Sequence, residues 1–240
     1  MSLFLKRKKA MPKKIPPCSA VIAAAGSSQR MNGEDKLFIE INGTPVIVYS
    51  LTAFQNCDYI NEIIVVTRSE HMELVSDICK HYGITKAAKV VSGGPARLVS
   101  VYNGVFAVSK KAGLIAIHDG ARPCIEQDVI KRAVLAASKY QASAPAVPVK
   151  STIKCVKDNF VVKTVDREGL FEVQTPQVFK AELIKAALTN ARNKSIDVTD
   201  DCMAAELIGA PVFMAEGSPH NIKLTTGEDL VIAEAILRGC

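Results

Sequence analysis

Val21–Lys36, V-I-A-A-A-G-S-S-Q-R-M-N-G-E-D-K, decides how the rest of the chain is read. Four apolar, β-compatible residues, Ala20–Ala23, run into Ala24-Ala25-Gly26-Ser27-Ser28, a run almost without side-chain bulk. A buried strand ending in small residues lets backbone N–H groups approach an anion closely, because no longer side chain intervenes. Arg30 then offers a planar fork for phosphate oxygens, and Lys36 a mobile point charge. The chemistry suits a polyphosphate, although the stretch taken alone equally describes a tight strand-to-helix turn with solvated charges. Two familiar phosphate signatures are missing. No G-x-x-x-x-G-K-[ST] occurs, and no G-x-G-x-x-G follows the first strand.

Outward from this stretch the chain alternates strands and helices. Thr44-Pro45 has the form of an N-cap followed by proline at the first helical position, which predicts a helix over Pro45–Gln55. Asn61–Thr67 has a buried-strand pattern, and a helix is expected from Ser69 to about Tyr82. Strands are expected at Lys89–Val91, Leu114–His118 and Ala142–Val149, with helices at Ala96–Lys110 and Glu126–Lys139. Such alternation, with apolar strands of four to six residues, predicts an α/β fold with a parallel sheet covered on both faces. The pattern breaks at about residues 150–178. There Thr152–Val156 and Phe160–Val165 flank the turn Lys157-Asp158-Asn159 and read as a hairpin, a β-arm inserted into the core. Helices over Lys180–Asn193 and Thr199–Ile208, a strand at Val212–Glu216 and a last helix from Thr226 or Gly227 to near Arg238 complete the expectation.

At 240 residues the chain fits one such domain, residues 17–240, behind a tail over residues 1–16. The formal charge of +6 sits in that tail, because Lys6, Arg7, Lys8, Lys9, Lys13 and Lys14 face no acidic residue there. The remainder carries 24 charges of each sign. The tail's Lys and Pro content predicts disorder rather than a nucleic-acid contact. No apolar run reaches the ~18 residues of a membrane span, and no secretory signal opens the chain. Seven scattered cysteines without a C-x-x-C argue against a disulfide framework or a zinc site, and for a reducing, cytoplasmic setting.

In open α/β sheets, ligands bind beyond the carboxyl ends of the strands. The segments following the strands are Ala24–Lys36, then Gly93-Gly94 with Arg97 and Ser100, then His118-Asp119-Gly120-Ala121-Arg122-Pro123. All are rich in small residues, arginine or both. Asp119 emerges at a strand tip, where a lone carboxylate suits Mg²⁺ shared with substrate phosphates; the alternative is that it only pairs with Arg122. His118 reads as a packed neighbour, since no second His or Cys lies at ligand spacing.

The first loop, with Gly26, Arg30, Met31 and Lys36, resembles that of the nucleotidyltransferases, roughly G-x-x-x-R-M followed by Lys. Further blocks appear in order: I-H-D-G-A-R-P at 117–123, T-V-D-R-E-G-L at 164–170, Q-T-P-Q-V-F at 174–179, V-T-D-D at 198–201 and N-I-K-L-T at 221–225. Together they resemble the 2-C-methyl-D-erythritol 4-phosphate cytidylyltransferases over about Ser19 to Ile236. T-P-Q and N-I-K are shared with ribitol-5-phosphate cytidylyltransferases, whereas T-V-D-R-E-G-L favours the methylerythritol family.

The resemblance implies a Rossmann-like, three-layer αβα fold and a homodimer in which the β-arm crosses to the partner. It implies transfer of a cytidylyl group from CTP to the sugar-alcohol phosphate with release of pyrophosphate. Arg30 and Lys36 would grip the phosphates, Lys223 the α-phosphate, and Asp119 would hold Mg²⁺. CTP would lie against Ala24, Ala25, Gly26, Gly94, Ser100 and Gly120. Asp119, Arg122, Thr152, Arg167, Thr175 and Thr199 would bind the acceptor, with Thr152, Arg167 and Thr175 reaching across the dimer. Without the family, Thr152 is equally a strand residue, Thr199 an N-cap, and Arg167 a surface partner of Asp166. Three departures stand out. Asp35-Lys36-Leu37 replaces the usual Pro-Lys-Gln in a loop one residue short, Pro95 stands where an aspartate is usual, and His220 where a carboxylate is common. The competing classes make their own predictions. A nicotinamide oxidoreductase requires the missing dinucleotide fingerprint, and a nucleic-acid binder would depend on the basic tail.

Overall fold

The computed structural model describes residues 14–26 and 35–239. Its strands are β1 (Cys18–Ala24), β2 (Glu40–Ile41), β3 (Thr44–Pro45), β4 (Glu62–Thr67), β5 (Ala87–Ser92), β6 (Leu114–Asp119), β7 (Ala142–Pro148), β8 (Ile153–Lys157), β9 (Phe160–Val165), β10 (Phe171–Val173), β11 (Gln177–Lys180) and β12 (Phe213–Glu216). Its helices are α1 (Val46–Gln55), α2 (Met72–His81), α3 (Arg97–Ala107), α4 (Gln127–Tyr140), α5 (Ala181–Asn193), α6 (Asp201–Glu206) and α7 (Gly227–Arg238).

Eight strands form the central sheet in the order β10-β7-β11-β6-β1-β4-β5, with β12 parallel to β7. The heart of the sheet is parallel, and β1 lies between β4 and β6. Alternation along β1 divides the core. Ala20, Ile22 and Ala24 pack with α1, α2, α4 and α7 on one face, while Val21 packs with α3, α5 and α6 on the other. This is the three-layer arrangement that apolar parallel strands require, since each face must be covered.

Several elements differ from the sequence expectation for identifiable reasons. Thr44-Pro45 does not open the helix. Asn42 and Gly43 both take positive φ, at 51° and 72°, and fold Glu40–Pro45 into a small hairpin, so α1 begins only at Val46. Asn-Gly is a strong hairpin-turn pair, and here it overrides the proline signal. The chain over 171–180 returns to the main sheet as β10 and β11, both antiparallel to β7. The β8–β9 hairpin is therefore the only part of the expected 150–178 arm that stands as a separate sheet among the described residues. Its base is closed by β10 against β7, Phe171 opposite Pro148. At α6 the cap is Asp200 rather than Thr199; its carboxylate accepts the Met203 N–H at 2.8 Å.

Candidate functional site

The parallel strands β1, β4, β5 and β6 end at one edge, and the loops there enclose a cleft of about 500 Å³. One wall is made of small groups. A Cβ on Gly93 would stand 2.4 Å from the Cβ of Ala25 and 2.8 Å from Ser100 Oγ, so only glycine lets these two loops meet. Ser100 ties the second loop together: its Oγ accepts the Gly94 N–H at 3.0 Å and donates to the Ala96 carbonyl at 3.1 Å.

Opposite this wall stand cations grouped about one carboxylate. Asp119 closes β6 and pairs with Lys223 Nζ at 2.8 Å, Arg97 Nη2 at 3.5 Å and Arg122 Nε at 3.8 Å. Burial alone would push its carboxyl up, but Lys223 first and then Arg97 hold it well below the usual carboxylate range. Asp119 is therefore ionised at any working pH.

Each cation is in turn held by its own support. Arg97 makes a two-pronged pair with the buried Asp201 at 3.0 and 2.8 Å, and the two carboxylates keep it firmly charged although burial opposes this. Asp201 is placed by Gln177, whose amide oxygen accepts the N–H groups of Asp201 and Cys202 at 2.9 and 3.0 Å. Lys223 sits in a loop clamped to the Asp119 loop. Arg122 Nη1 donates to the Asn221 carbonyl at 2.7 Å, and the Leu224 N–H donates to Ala121 O at 2.9 Å. The Asn221 amide nitrogen donates to Thr175 O at 2.8 Å. Lys36 Nζ reaches the same loop, donating to Leu224 O at 2.8 Å.

Of the residues singled out in the sequence, Ala24, Ala25, Gly26, Lys36, Gly94, Ser100, Asp119 and Lys223 line this one cleft. Gly120 lies behind it, donating its N–H to Ala23 O at 2.9 Å. Arg122 lines a second cleft of about 510 Å³, which shares Lys223 and includes Lys150, Glu172, Gln174 and Asn221. Thr175 is only 4% exposed; its hydroxyl accepts the Asp119 N–H at 3.2 Å and meets His118 Nδ1 at 2.9 Å, so it supports the site from beneath. Thr152, Thr199 and Arg167 are exposed and line neither cleft, and Arg167 donates to the Lys150 carbonyl. Arg30 and residues 1–13 of the basic tail lie outside the described residues. Two arginines of the cleft, Arg68 and Arg97, carry no role in the sequence reading. Arg97 stood in a loop already marked as site-forming, whereas Arg68 follows an ordinary β-strand and gives no local signal. Among the described residues, no group of three or more His, Cys, Asp or Glu is placed to hold a metal.

The family model for IspD, 2-C-methyl-D-erythritol 4-phosphate cytidylyltransferase, matches residues 18–239. The enzyme of that name from Caldanaerobacter subterraneus subsp. tengcongensis is 46% identical over 223 residues, covering 92% of this chain and 98% of its own. Its counterpart from Halalkalibacterium halodurans is 43% identical over 220 residues, covering 91% and 96%. Among solved structures, the 4-diphosphocytidyl-2C-methyl-D-erythritol synthase of Anaerococcus prevotii superposes with a TM-score of 0.83 at 31% identity, covering 93% of this chain and 96% of that one. The cytidylyltransferase of Thermus thermophilus gives 0.77 at 29% identity, covering 91% and 98%.

Proposed function

The chain belongs to the 2-C-methyl-D-erythritol 4-phosphate cytidylyltransferase family, and from this premise we propose how its residues divide the work of the reaction. It is a nucleotidyltransferase that joins CTP and 2-C-methyl-D-erythritol 4-phosphate and releases pyrophosphate. The relatives are named for the methylerythritol acceptor, and ribitol 5-phosphate is not favoured.

An oxygen of the acceptor's phosphate attacks the α-phosphorus of CTP; one P–O bond forms there, and the bond to the β-phosphate breaks. The monoester, with a second pKa of about 6, is largely dianionic at neutral pH, so the attack needs no general base. Catalysis then rests on positioning and on neutralising charge around the α-phosphorus. Lys36 and Arg30 hold the triphosphate, and Lys223 holds the α-phosphate. The small-residue wall of Ala24, Ala25, Gly26, Gly94 and Ser100 receives the nucleoside, with Gly120 behind it. The observation that carries this reading is one cleft pairing a glycine- and alanine-lined wall with Lys36, Arg68, Arg97 and Lys223.

Asp119 fits a magnesium ion, which needs only one or two carboxylates when phosphates supply the remaining oxygens. Bound there, the ion would supply charge neutralisation to the phosphates, beside the Lys223 ammonium that lies 2.8 Å from the Asp119 carboxylate and would serve the α-phosphate. The second cleft, with Arg122 and the shared Lys223, receives the acceptor. The enzyme works as a homodimer through the β8–β9 arm. Supporting this, Phe160, Val161 and Val162 of the arm are 79%, 60% and 66% exposed, and Thr152 and Arg167 line neither cleft of their own chain. Across the dimer they complete the partner's acceptor site, and Thr199 adds a further contact. Among the described residues, six free cysteines, five of them buried, support a reducing cytoplasmic setting.

The test is pyrophosphate release with CTP, Mg²⁺ and methylerythritol 4-phosphate, beside ribitol 5-phosphate and an Arg167→Ala variant. Release with the methylerythritol acceptor alone is expected, with the variant losing roughly tenfold or more in kcat/KM for the acceptor, the cost of one lost charged contact, while still binding CTP. Unchanged acceptor kinetics in the variant would remove the cross-dimer role, and turnover only with ribitol 5-phosphate would reassign the acceptor.

A further inference from the structure

Asp35 puts a carboxylate directly before Lys36, at the mouth of a cleft that takes a triphosphate. A fixed negative charge there opposes binding unless something cancels it. The Asp35 carboxylate is only 8% exposed and meets Arg68 Nη2 at 2.8 Å. Its other oxygen accepts the Leu37 N–H at 3.2 Å, and the Phe38 N–H donates to Asp35 O at 2.9 Å. Residues 35–38 are thus a closed turn with Lys36 inside it. His71 packs edge-on against Phe38 at 4.9 Å between ring centres, with Nδ1 3.5 Å from the same carboxylate. Arg68 follows directly on β4, so its backbone is set by the core of the sheet, and it lines the same cleft as Lys36.

We propose that Arg68 is a positioning residue for cytidylyl transfer: it cancels the charge of Asp35 and holds the 35–38 turn, so that Lys36 remains an effective triphosphate ligand. The inference rests on reading the cleft as the CTP site. A buried carboxylate must be paired, and the end of β4 delivers an arginine to it. Arg68 acts through Asp35, which engages its Nη2 at 2.8 Å, while its Nε lies 3.4 Å from Glu70 without a hydrogen bond among the described residues.

The experiment measures CTP binding by calorimetry, and KM and kcat with both substrates, for wild type, Arg68→Gln, Arg68→Lys and the double variant Arg68→Gln/Asp35→Asn. Asparagine keeps the acceptor for the Leu37 N–H and removes only charge. Removing the Arg68 charge from beside Asp35, several ångströms from the phosphates and partly screened, weakens CTP binding by about tenfold. The expected result is therefore a rise of about tenfold in Kd and KM for CTP in Arg68→Gln, with a smaller change in kcat. Arg68→Lys should stay near wild type, and the double variant should return to within about twofold of it. Unchanged CTP binding in Arg68→Gln overturns the proposal while leaving the enzyme's activity assigned. A double variant as weak as Arg68→Gln also overturns it, since Arg68 would then touch the nucleotide itself or serve only the fold. Wild-type protein that does not bind CTP overturns both this inference and the reading of the cleft.

Discussion

At the scale of single residues, His118 shows how a site can hold an ionisable group in its neutral form. It is fully buried, meets the Thr175 hydroxyl at 2.9 Å and lies 4.9 Å from the Phe54 ring. Burial pushes its pKa down to about 3, against a partial pull upward from Asp119. An unfolded histidine takes up its proton near pH ~6.5. Below that value the unfolded chain binds a proton that the native one refuses, so stability is complete above about pH 6.5 and falls with pH towards about 3. The slope is about 1.4 kcal/mol per pH unit, or about 2 kcal/mol between about pH 6.5 and 5. Urea midpoints at about pH 7, 6 and 5 should show this decline, and His118→Gln should be less stable near neutrality but flatter over the window. A wild-type protein equally stable at both ends of that range would contradict the assignment. The sequence already marked this histidine as packed, because no partner ligand lay at metal spacing. It did not mark Arg68, since a residue's value as a counter-charge depends on which loop the sheet lays beside it.

At the scale of elements, α3 shows what close packing demands. A Cβ on Gly104 would lie 2.5 Å from Val21 Cγ1 and 2.5 Å from Val66 Cγ2, so the helix touches β1 and β4 through its glycine. Gly104→Ala should gain helix propensity yet lose about 1–3 kcal/mol net, because core atoms must move. Thermal denaturation checks this, and a raised Tm would show that the sheet yields easily. The central parallel strands β1, β4 and β6 were legible because each is a short apolar run buried on both faces. The run Gln174-Thr175-Pro176-Gln177 was not, for it is polar in sequence and buried in fact. Its amides are satisfied by partners remote in the chain, Gln177 at the start of α6 and Gln174 at Ser218, where its amide nitrogen donates to the carbonyl at 2.7 Å. Such matching between distant segments leaves no local pattern. The small-residue wall of the cleft was legible for the opposite reason: the loops after β1 and β5 announce themselves with small residues directly after a strand.

At the scale of the whole molecule, the arm is the part that the chain's own core does not explain. A two-stranded hairpin is marginal in water, and β8–β9 leaves Phe160, Val161 and Val162 largely uncovered. If a second copy covers them, Phe160→Glu should shift the protein towards the single-chain mass in light scattering at micromolar concentration. The circular dichroism should be unchanged, and turnover should fall with the loss of dimer. A variant that keeps the mass of the wild type would show that the arm does not hold two copies together.

The pairing of Phe171 with Pro148 at the base of that arm has a consequence for how such a chain can vary. Because the two ends of the insertion are already joined by a ladder in the main sheet, the entropy of bringing them together is met there, whatever lies between them. The insertion can lengthen, shorten or change its outer residues with little effect on the strand that ends at Asp119 or on the buried link between β10 and β11 that holds Thr175. Its reach is free to diverge, while the site beneath it stays the same.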